Sequence, residues 1–262
     1  MLTYPYINPI ALSLGPIQIH WYGLMYLIGF ILAGLVARYR VKRLNLEWTN
    51  EQISDLIFYA ALGLIIGGRC GYMFFYAWNE WLANPLSLFK IWQGGMSFHG
   101  GLIGGLIALV FFAKSQQKNI LDITDFAAPM IPLGLAAGRL GNFINGELWG
   151  RVTNSPWGMI FPHVDFQPRH PSQLYEFGLE GIVLFVCIFI YTLKPRPKGY
   201  ATALFLILYS IFRFFVEFFR QPDIQLGFLF HSWLTMGQLL TIPVFILGIG
   251  IWGYQRNHAN IS

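Results

Sequence analysis

Charge is scarce in this chain, and cysteine is scarcer. Asp, Glu, Lys and Arg make up 11% of its 262 residues, against about 25% in soluble domains. Too few charges remain to clothe a water-facing surface of this size. The two cysteines, Cys70 and Cys187, have neither metal-ligand spacing nor a base beside them. A disulfide framework and a Cys/His zinc site are therefore excluded, and both thiols are expected to be buried apolar groups. Internal repeats and low-complexity segments are absent. So is an evident cleavable signal peptide, because the first stretch has neither a basic n-region nor an A-x-A-like site. Hydrophilic segments are few and short, namely the amino-terminal strip to His20 and the loop Gly146–Gln173.

Hydrophobic residues, in contrast, reach 55%, with a mean hydropathy of +0.52. Runs near the roughly 20 residues that span a bilayer recur at Trp21–Arg38, Ile53–Tyr76, Ser97–Lys114, Phe126–Ile144, Leu174–Leu193, Tyr200–Phe219 and Leu234–Trp252. Pro129, Pro132, Gly134, Gly138 and Gly141 interrupt the fourth; the seventh contains Pro243, which neighbouring helices can tolerate within a membrane. The expected fold is all-α, a polytopic membrane protein of about seven transmembrane helices. One integral-membrane domain is expected over 1–262, with a short periplasmic loop region at about 146–173.

Basic residues set the expected orientation. Arg38, Arg40, Lys42 and Arg43 follow the first span, Lys114 and Lys118 the third, Lys194, Arg196 and Lys198 the fifth, and Arg256 the last. The alternate loops carry fewer. The amino terminus is thus expected outside and the carboxyl terminus in the cytoplasm. The net charge of +5 then reads as a topology signal and gives no support to nucleic-acid binding.

Three polar constellations stand in this apolar background. Gly138-Arg-Leu-Gly-Asn-Phe-Ile-Asn-Gly-Glu-Leu-Trp-Gly-Arg151 ends the fourth span. A single arginine at the centre of a membrane helix costs roughly 2.5–3.5 kcal/mol on insertion scales, so such groups face a protein interior or a wet cavity. If the segment is helical, Arg139, Asn142 and Gly146 share a face, and the glycines let a ligand approach the backbone. Arg139 offers a planar fork suited to phosphate, Asn142 and Asn145 add neutral donors, and Glu147 can anchor an arginine or position a substrate. A polar helix–helix contact, or an arginine reaching the headgroups, is the plainer alternative.

Tyr209, Arg213, Glu217 and Arg220 form the second constellation, at spacings that place them on one stripe of the sixth span. Glu217 can neutralise either arginine, which leaves one positive charge over, and a surplus cation inside a membrane calls for an anion. Gly94-Gly-Met-Ser-Phe-His99-Gly-Gly-Leu-Ile-Gly-Gly105 is the third. Its Gly100/Gly104 and Gly101/Gly105 pairs permit close helix packing. His99, at the expected outer end of its span, is either a satisfied polar contact or a general base. Arg69, inside the second span, either pairs within the bundle or lines a cavity. Asp122 and Asp125 fit helix-start or loop roles.

Taken in order, His99-Gly-Gly-Leu-Ile-Gly-Gly105, the Gly138–Arg151 segment, His170-Pro-Ser-Gln-Leu-Tyr-Glu176 and Arg213-Phe-Phe-Val-Glu-Phe-Phe-Arg-Gln-Pro-Asp223 resemble the bacterial prolipoprotein diacylglyceryl transferases over almost the whole chain. The resemblance implies an enzyme of the bacterial inner membrane with its site toward the periplasm. Such an enzyme moves the diacylglyceryl group of phosphatidylglycerol onto the lipobox cysteine thiol of a prolipoprotein signal-peptide region. A thioether forms, glycerol phosphate leaves, and lipoprotein maturation has taken its first step. The family's essential histidine matches His99, and its two critical arginines match Arg139 and Arg213. Its signature asparagine and glycine match Asn142 and Gly150, and residues of supporting importance match Tyr22, Glu147, Tyr209, Glu217 and Arg220. Neither a metal nor an organic cofactor is expected. Expected partners are the two substrates and the lipid bilayer, and nucleic acid is not among them.

The chemistry suits these residues. A thiol of reference pKa near 8.5 needs a base or cation to raise its thiolate fraction. Guanidinium groups fixed in a water-poor site stabilise charge building on a leaving phosphate. Arg139 and Arg213 would hold the phosphate and His99 would accept the thiol proton. A transporter for an anionic lipid is the alternative, since it too uses intramembrane arginines and broken helices.

Overall fold

The computed structural model of the chain describes residues 2–15, 17–222, 227–230 and 234–259; Asp223, the end of the last motif, lies outside them. Helices dominate: α1 (Trp21–Leu44), α2 (Asn50–Phe75), the short α3 (Trp78–Ala83), α4 (Phe98–Ser115), α5 (Ile120–Ala127), α6 (Ile131–Asn145), α7 (Ser172–Tyr191), α8 (Tyr200–Val216) and α9 (Met236–Ala259). Short strands accompany them: β1 (Leu2–Thr3), β2 (Ile10–Leu14), β3 (Ile17–His20), β4 (Met159–Ile160), β5 (Pro168–Arg169), β6 (Phe228–Phe230) and β7 (Leu234–Thr235). β2 pairs with β3 and β6 with β7, while a three-stranded sheet runs β1-β4-β5.

Five of these helices are long and apolar enough to cross a bilayer, namely α1, α2, α4, α7 and α9. The expected fourth span is a bent pair, α5 and α6, meeting at 51°. Pro129 lies at the break and Pro132 in the first turn of α6, where a missing N–H costs least. The expected sixth span is the 17-residue α8, about 25 Å long at 1.5 Å per residue and short of the ~30 Å hydrocarbon core. Polarity is distributed as lipid demands. Phe58, Ile103, Phe111 and Ile246 face outward, whereas Arg69, Gln173, Glu176, Glu180, Arg213 and Glu217 are buried. An exterior of large apolar side chains around an ionic interior is that of a multi-pass membrane protein.

This setting also corrects the expectation for the cysteines. Cys70 is half-buried and Cys187 is exposed on α7. Outside a membrane bundle lies hydrocarbon, so a small apolar thiol gains nothing by turning inward.

The residues fall into two compact units, Met1–Val36 with Asp125–Ser262, and Ala37–Thr124. In the second unit, α2 opens with a capping box: the Thr49 hydroxyl accepts from the Gln52 amide, and the Gln52 side chain accepts from the Thr49 amide, both at 3.1 Å. Ser97 caps α4 by accepting from the Gly100 amide at 3.2 Å. α2 and α4 touch backbone to backbone along Gly63, Gly67 and Gly71 on one helix and Gly100 and Gly104 on the other. A Cβ on Gly104 would collide with the Gly63 carbonyl, whereas one on Gly105 meets only Leu64 at 3.5 Å. The expected glycine pairs are thus unequal, and Gly100/Gly104 carry the packing. Arg69 pairs with backbone carbonyls inside its own unit. Its Nη2 donates to the Ser87 carbonyl at 2.6 Å, its Nε to Leu88 at 3.1 Å, and its Nη1 to Gly95 at 3.2 Å and to Gly94. It ties the loop that leads into α4.

In the first unit, α7 and α8 pack through Leu184, Ile188 and Ala201, with Leu204, Phe205 and Leu208 around them. Asp125 starts α8 from a distance, accepting from the amides of Gly199 at 2.5 Å and Thr202 at 2.8 Å. Gly199, the residue before the helix, has no side chain with which to do so. The amino-terminal strip is anchored too. Tyr4 stacks on Phe161 with ring centroids 5.2 Å apart, and its hydroxyl donates to the Ile144 carbonyl at 2.7 Å, closing the end of α6.

Candidate active site

Arg139 stands in the third turn of α6, and the helix ends where Gly146 turns left-handed at φ +67°. Arg139 and Asn142 therefore share a helical face, while Gly146 terminates the helix. Beside α6 runs α7, and its segment Phe177–Val183 is wound as a π-helix, a distortion often found at functional sites. Gly181 lets the two helices meet: a Cβ there would lie 2.6 Å from the Ala136 Cβ. One residue before Gly181 is Glu180, and three residues after Ala136 is Arg139. The close approach is what brings these charges together.

The result is a buried ionic cluster drawn from α6, α7 and the end of α8. Arg139 Nε lies 3.3 Å from Glu176 Oε2, and its Nη2 lies 3.5 Å from Glu180 Oε2. Arg213 Nη1 bonds Glu176 Oε1 and stands 3.4 Å from Glu180 Oε1. Arg213 Nη2 reaches Glu217 Oε2 at 2.8 Å, and Arg220 Nη1 comes within 3.9 Å of Glu176 Oε1. Glu217 also accepts from the Thr235 hydroxyl at 3.1 Å. Thr235 and Gln238 form a capping box that opens α9 beside it, and Gly237 leaves room for the carboxylate.

Two expectations change here. The stripe Tyr209–Arg220 is not helical throughout, because α8 ends at Val216 and Arg220 pairs with Gly150 in an isolated antiparallel bridge. Among the described residues the surplus positive charge is also absent. Glu176 and Glu180 join Glu217, so three carboxylates face three guanidinium groups. In low dielectric an uncompensated arginine would be far more costly. Arg139 is held less tightly than Arg213. Among the described residues the Arg139 guanidinium makes ion pairs at 3.3 and 3.5 Å but no hydrogen bond, and its side chain keeps 15% of its surface exposed while Glu176 and Glu180 keep none.

The remaining candidates stand in different settings. Asn142 Nδ2 donates to Glu147 Oε1 at 2.8 Å, and Asn145 reaches the same oxygen at 3.4 Å. The Glu147 carbonyl accepts from Gln173 at 2.6 Å. Tyr22 lays its ring on Gly141, where a Cβ would sit 2.9 Å from the ring, and its hydroxyl pairs with that of Tyr26 at 3.3 Å. It is in electrostatic reach of Glu147 and Arg139. Tyr209 faces Glu180, Arg213 and Arg139. Gly150 is held between two backbones, its Cβ position 2.5 Å from the carbonyls of both His170 and Phe219, so its surroundings are those of a structural glycine. His99 belongs to the other unit. It is exposed in the first turn of α4, in edge contact with Phe98.

Outside the spans, the Gly146–Gln173 loop is bolted down by its own charges. Arg151 donates to the carbonyls of Arg220 at 2.8 Å and Glu217 at 3.2 Å, just beyond the end of α8. Asp165 is held below the usual carboxylate range by the hydrogen bonds from Arg169. His170 sits beside the Tyr175 hydroxyl at 3.1 Å; burial first, and then the Arg151 charge, push its pKa down. Trp157, Tyr175, Leu179, Phe215, Val216 and Phe219 line an apolar cavity of about 280 Å³. Four of these wall residues adjoin a charged residue of the cluster in sequence. Among the described residues, no three His, Cys, Asp or Glu side chains gather as a metal site would require.

An ionic site enclosed by apolar helices, with an apolar cavity beside it, defines an integral membrane protein with a charged interior site. Comparison with known proteins makes the class specific. The family model described as prolipoprotein diacylglyceryl transferase matches residues 9–254, and the chain belongs to that family. It is 62% identical over 256 residues to the phosphatidylglycerol–prolipoprotein diacylglyceryl transferase of Legionella pneumophila (strain Lens), covering 98% of this chain and all of that protein. It is 57% identical over 258 residues to the enzyme of that name from Coxiella burnetii (strain RSA 331 / Henzerling II), covering 98% of this chain and 99% of the other. The chain is a membrane transferase of lipoprotein biosynthesis.

Proposed function

We propose that the chain transfers the diacylglyceryl group of phosphatidylglycerol to the lipobox cysteine of a prolipoprotein, with its site toward the periplasmic side of the inner membrane and its amino terminus outside. It would act as one integral-membrane domain. The observation that carries this reading is the loosely held Arg139 guanidinium, in ion-pair contact without a hydrogen bond among the described residues, within a neutral ionic cluster and next to an apolar cavity. A phosphate bound to Arg139 would keep its two acyl chains in apolar surroundings.

In the reaction the thiol sulfur attacks the glyceryl carbon that bears the phosphate. The C–S bond forms and the C–O bond breaks, and its electron pair leaves on the phosphate oxygen. Glycerol phosphate departs, and the thiol proton goes to a base. Arg139 would stabilise the charge on the departing oxygen. Arg213, already committed to Glu176, Glu180 and Glu217, would set the geometry of that contact. His99 is the proposed proton acceptor. Asn142 and Glu147 would fix the loop against the substrate together with Tyr22, Tyr209 and Arg220, and Gly150 would hold the backbone that carries it. No cofactor takes part.

The test uses purified protein, phosphatidylglycerol and a lipobox peptide, with glycerol phosphate release and peptide mass gain as readouts. Peptide-dependent release by wild type, abolished in folded Arg139→Ala and Arg213→Ala variants, is the expected result. His99→Gln should lower turnover and change its pH profile, and an unaltered profile at near-normal rate removes His99 as the base. A folded wild type that moves lipid across vesicles but releases no glycerol phosphate would replace the transferase by a transporter.

A further inference from the structure

Glu176 closes the His170–Glu176 motif without a role assigned to it, Glu180 lies in none of the motifs, and the contacts of the two differ. Glu176 makes the short bond to Arg213, holds Arg139 Nε at 3.3 Å and is approached by Arg220. Glu180 has only longer contacts, 3.5 Å to Arg139 and 3.4 Å to Arg213, and its buried Oε2, like those of Glu176 and Glu217, has no hydrogen-bond partner. The groups that face it are Arg139 from α6, Tyr209 and Arg213 from α8, and Glu176 one turn back on α7. Glu176 is the anchor of the cluster, and Glu180 is its loosely held member.

A buried guanidinium needs a counter-charge whether or not substrate is present. A phosphate arriving at Arg139 brings a negative charge into a site whose charges already cancel. We infer that Glu180 is the exchangeable counter-ion of this site, a positioning residue that balances Arg139 while the site is empty and yields it to the lipid phosphate. The inference rests on the transferase reading for the identity of that phosphate. Return of Arg139 to Glu180 would then help expel glycerol phosphate, which leaves with more negative charge than the diester that entered. Glu180 would weaken substrate binding in order to speed product release.

The consequence is opposite to that of losing an ordinary contact. Glu180→Gln keeps the shape and removes the competing charge. It should lower both the KM for phosphatidylglycerol and the dissociation constant of glycerol phosphate by about tenfold or more, since a unit charge at this range interacts strongly in a buried setting. It should also reduce kcat as release slows. Glu176→Gln, which loosens three arginines, should raise KM and lower kcat together. Steady-state turnover and equilibrium binding of glycerol phosphate by the intact protein in lipid nanodiscs read the two effects separately. Unchanged or weaker glycerol phosphate binding by folded Glu180→Gln overturns the inference. Should that variant not fold, Glu180→Asp, whose shorter side chain draws the charge away from Arg139, must shift binding tighter, and a weaker affinity overturns it as well. The binding arm separates the two claims. Tighter glycerol phosphate binding without turnover by wild type would sink the transferase reading and leave the counter-ion standing.

Discussion

Replacing Gly181 by alanine adds one methyl group at the point where α6 and α7 touch. The new carbon would lie 2.6 Å from the Ala136 Cβ and 3.0 Å from its Cα, and ordinary contact begins at 3.4 Å. Neither neighbour is a flexible side chain, so the helices themselves must part, by about 0.8 Å. Overpacking of this kind costs roughly 1–3 kcal/mol of stability. The functional effect should be the larger one. Arg139 is one turn from Ala136 and Glu180 is next to Gly181, so the ion-pair distances of 3.3 and 3.5 Å lengthen with the gap. A misplacement of about 1 Å can cost on the order of 100-fold in rate. We expect kcat/KM for glycerol phosphate release to fall between roughly tenfold and 100-fold in folded Gly181→Ala.

A second substitution makes the cause testable. Ala136→Gly removes the opposing Cβ, leaving the Ala136 Cα at 3.0 Å as the nearest obstacle. The double variant should recover part of the lost rate, although a glycine inside α6 costs about 1 kcal/mol of helix stability. Activity of Gly181→Ala within twofold of wild type would refute the account, as would a double variant no faster than the single.

Three further outcomes follow from the contacts. Gly104→Leu should lower the thermal unfolding temperature by several degrees through an overpacking cost of about 1–3 kcal/mol, while Gly105→Leu, whose Cβ meets only Leu64, should leave it nearly unchanged. Arg69→Met removes the side-chain donor from the carbonyls of Leu88 and Gly95 and leaves that of Ser87 with the Lys90 amide alone; at ~1–3 kcal/mol per buried unmatched group, a thermal scan should show a loss that Arg69→Lys only partly restores. His170 is held neutral, its pKa lowered from 6.5 by burial and by Arg151. The folded state thus binds that proton less readily than the unfolded one. Its stability contribution is complete above about pH 6.5 and is lost as pH falls through the lower folded value, so His170→Gln should flatten the acid side of a stability–pH curve.

Length, spacing and the cost of polarity in hydrocarbon made the helices legible. The bend between α5 and α6 was foreshadowed by Pro129 and Pro132, and the close contact of α4 by its glycines. Local patterns reached no further. Strands of two to five residues are too short to show a period of two, and they are fixed by non-local pairing, such as Leu2 with Met159. Asp125 resembled a residue of its own helix start and instead caps α8, more than 70 residues on. Glu217 was found because it lies four residues from Arg213, within one turn. Glu176 lies 37 residues from Arg213 and Glu180 lies 33, and no helical periodicity connects α7 to α8. Their one local signal was that two glutamates, four residues apart, interrupt an otherwise apolar span, a pattern that alone justifies looking for partners.

Those two glutamates change what the arginines can be asked to do. Counting only the sixth span leaves a positive charge that would bind any anion indiscriminately, and phosphate or chloride in solution would occupy the site as readily as a lipid headgroup. A neutral cluster behaves otherwise. An anion gains only the difference between its own contacts with Arg139 and those that Glu180 already makes. A small ion with no further attachment gains little from that exchange. A diacyl lipid adds the burial of its chains, worth about 0.8 kcal/mol per CH₂ taken from water, although lipid already in the bilayer gains far less of this. What remains for such a lipid is orientation: chains held in apolar surroundings and a phosphate directed at the Arg139 guanidinium. Selectivity would then arise from geometry at Arg139 and from the competition offered by Glu180, with excess charge contributing nothing. The same balance would let a more highly charged product leave, since Glu180, which pairs with Arg139 at 3.5 Å in the empty site, would take the arginine back.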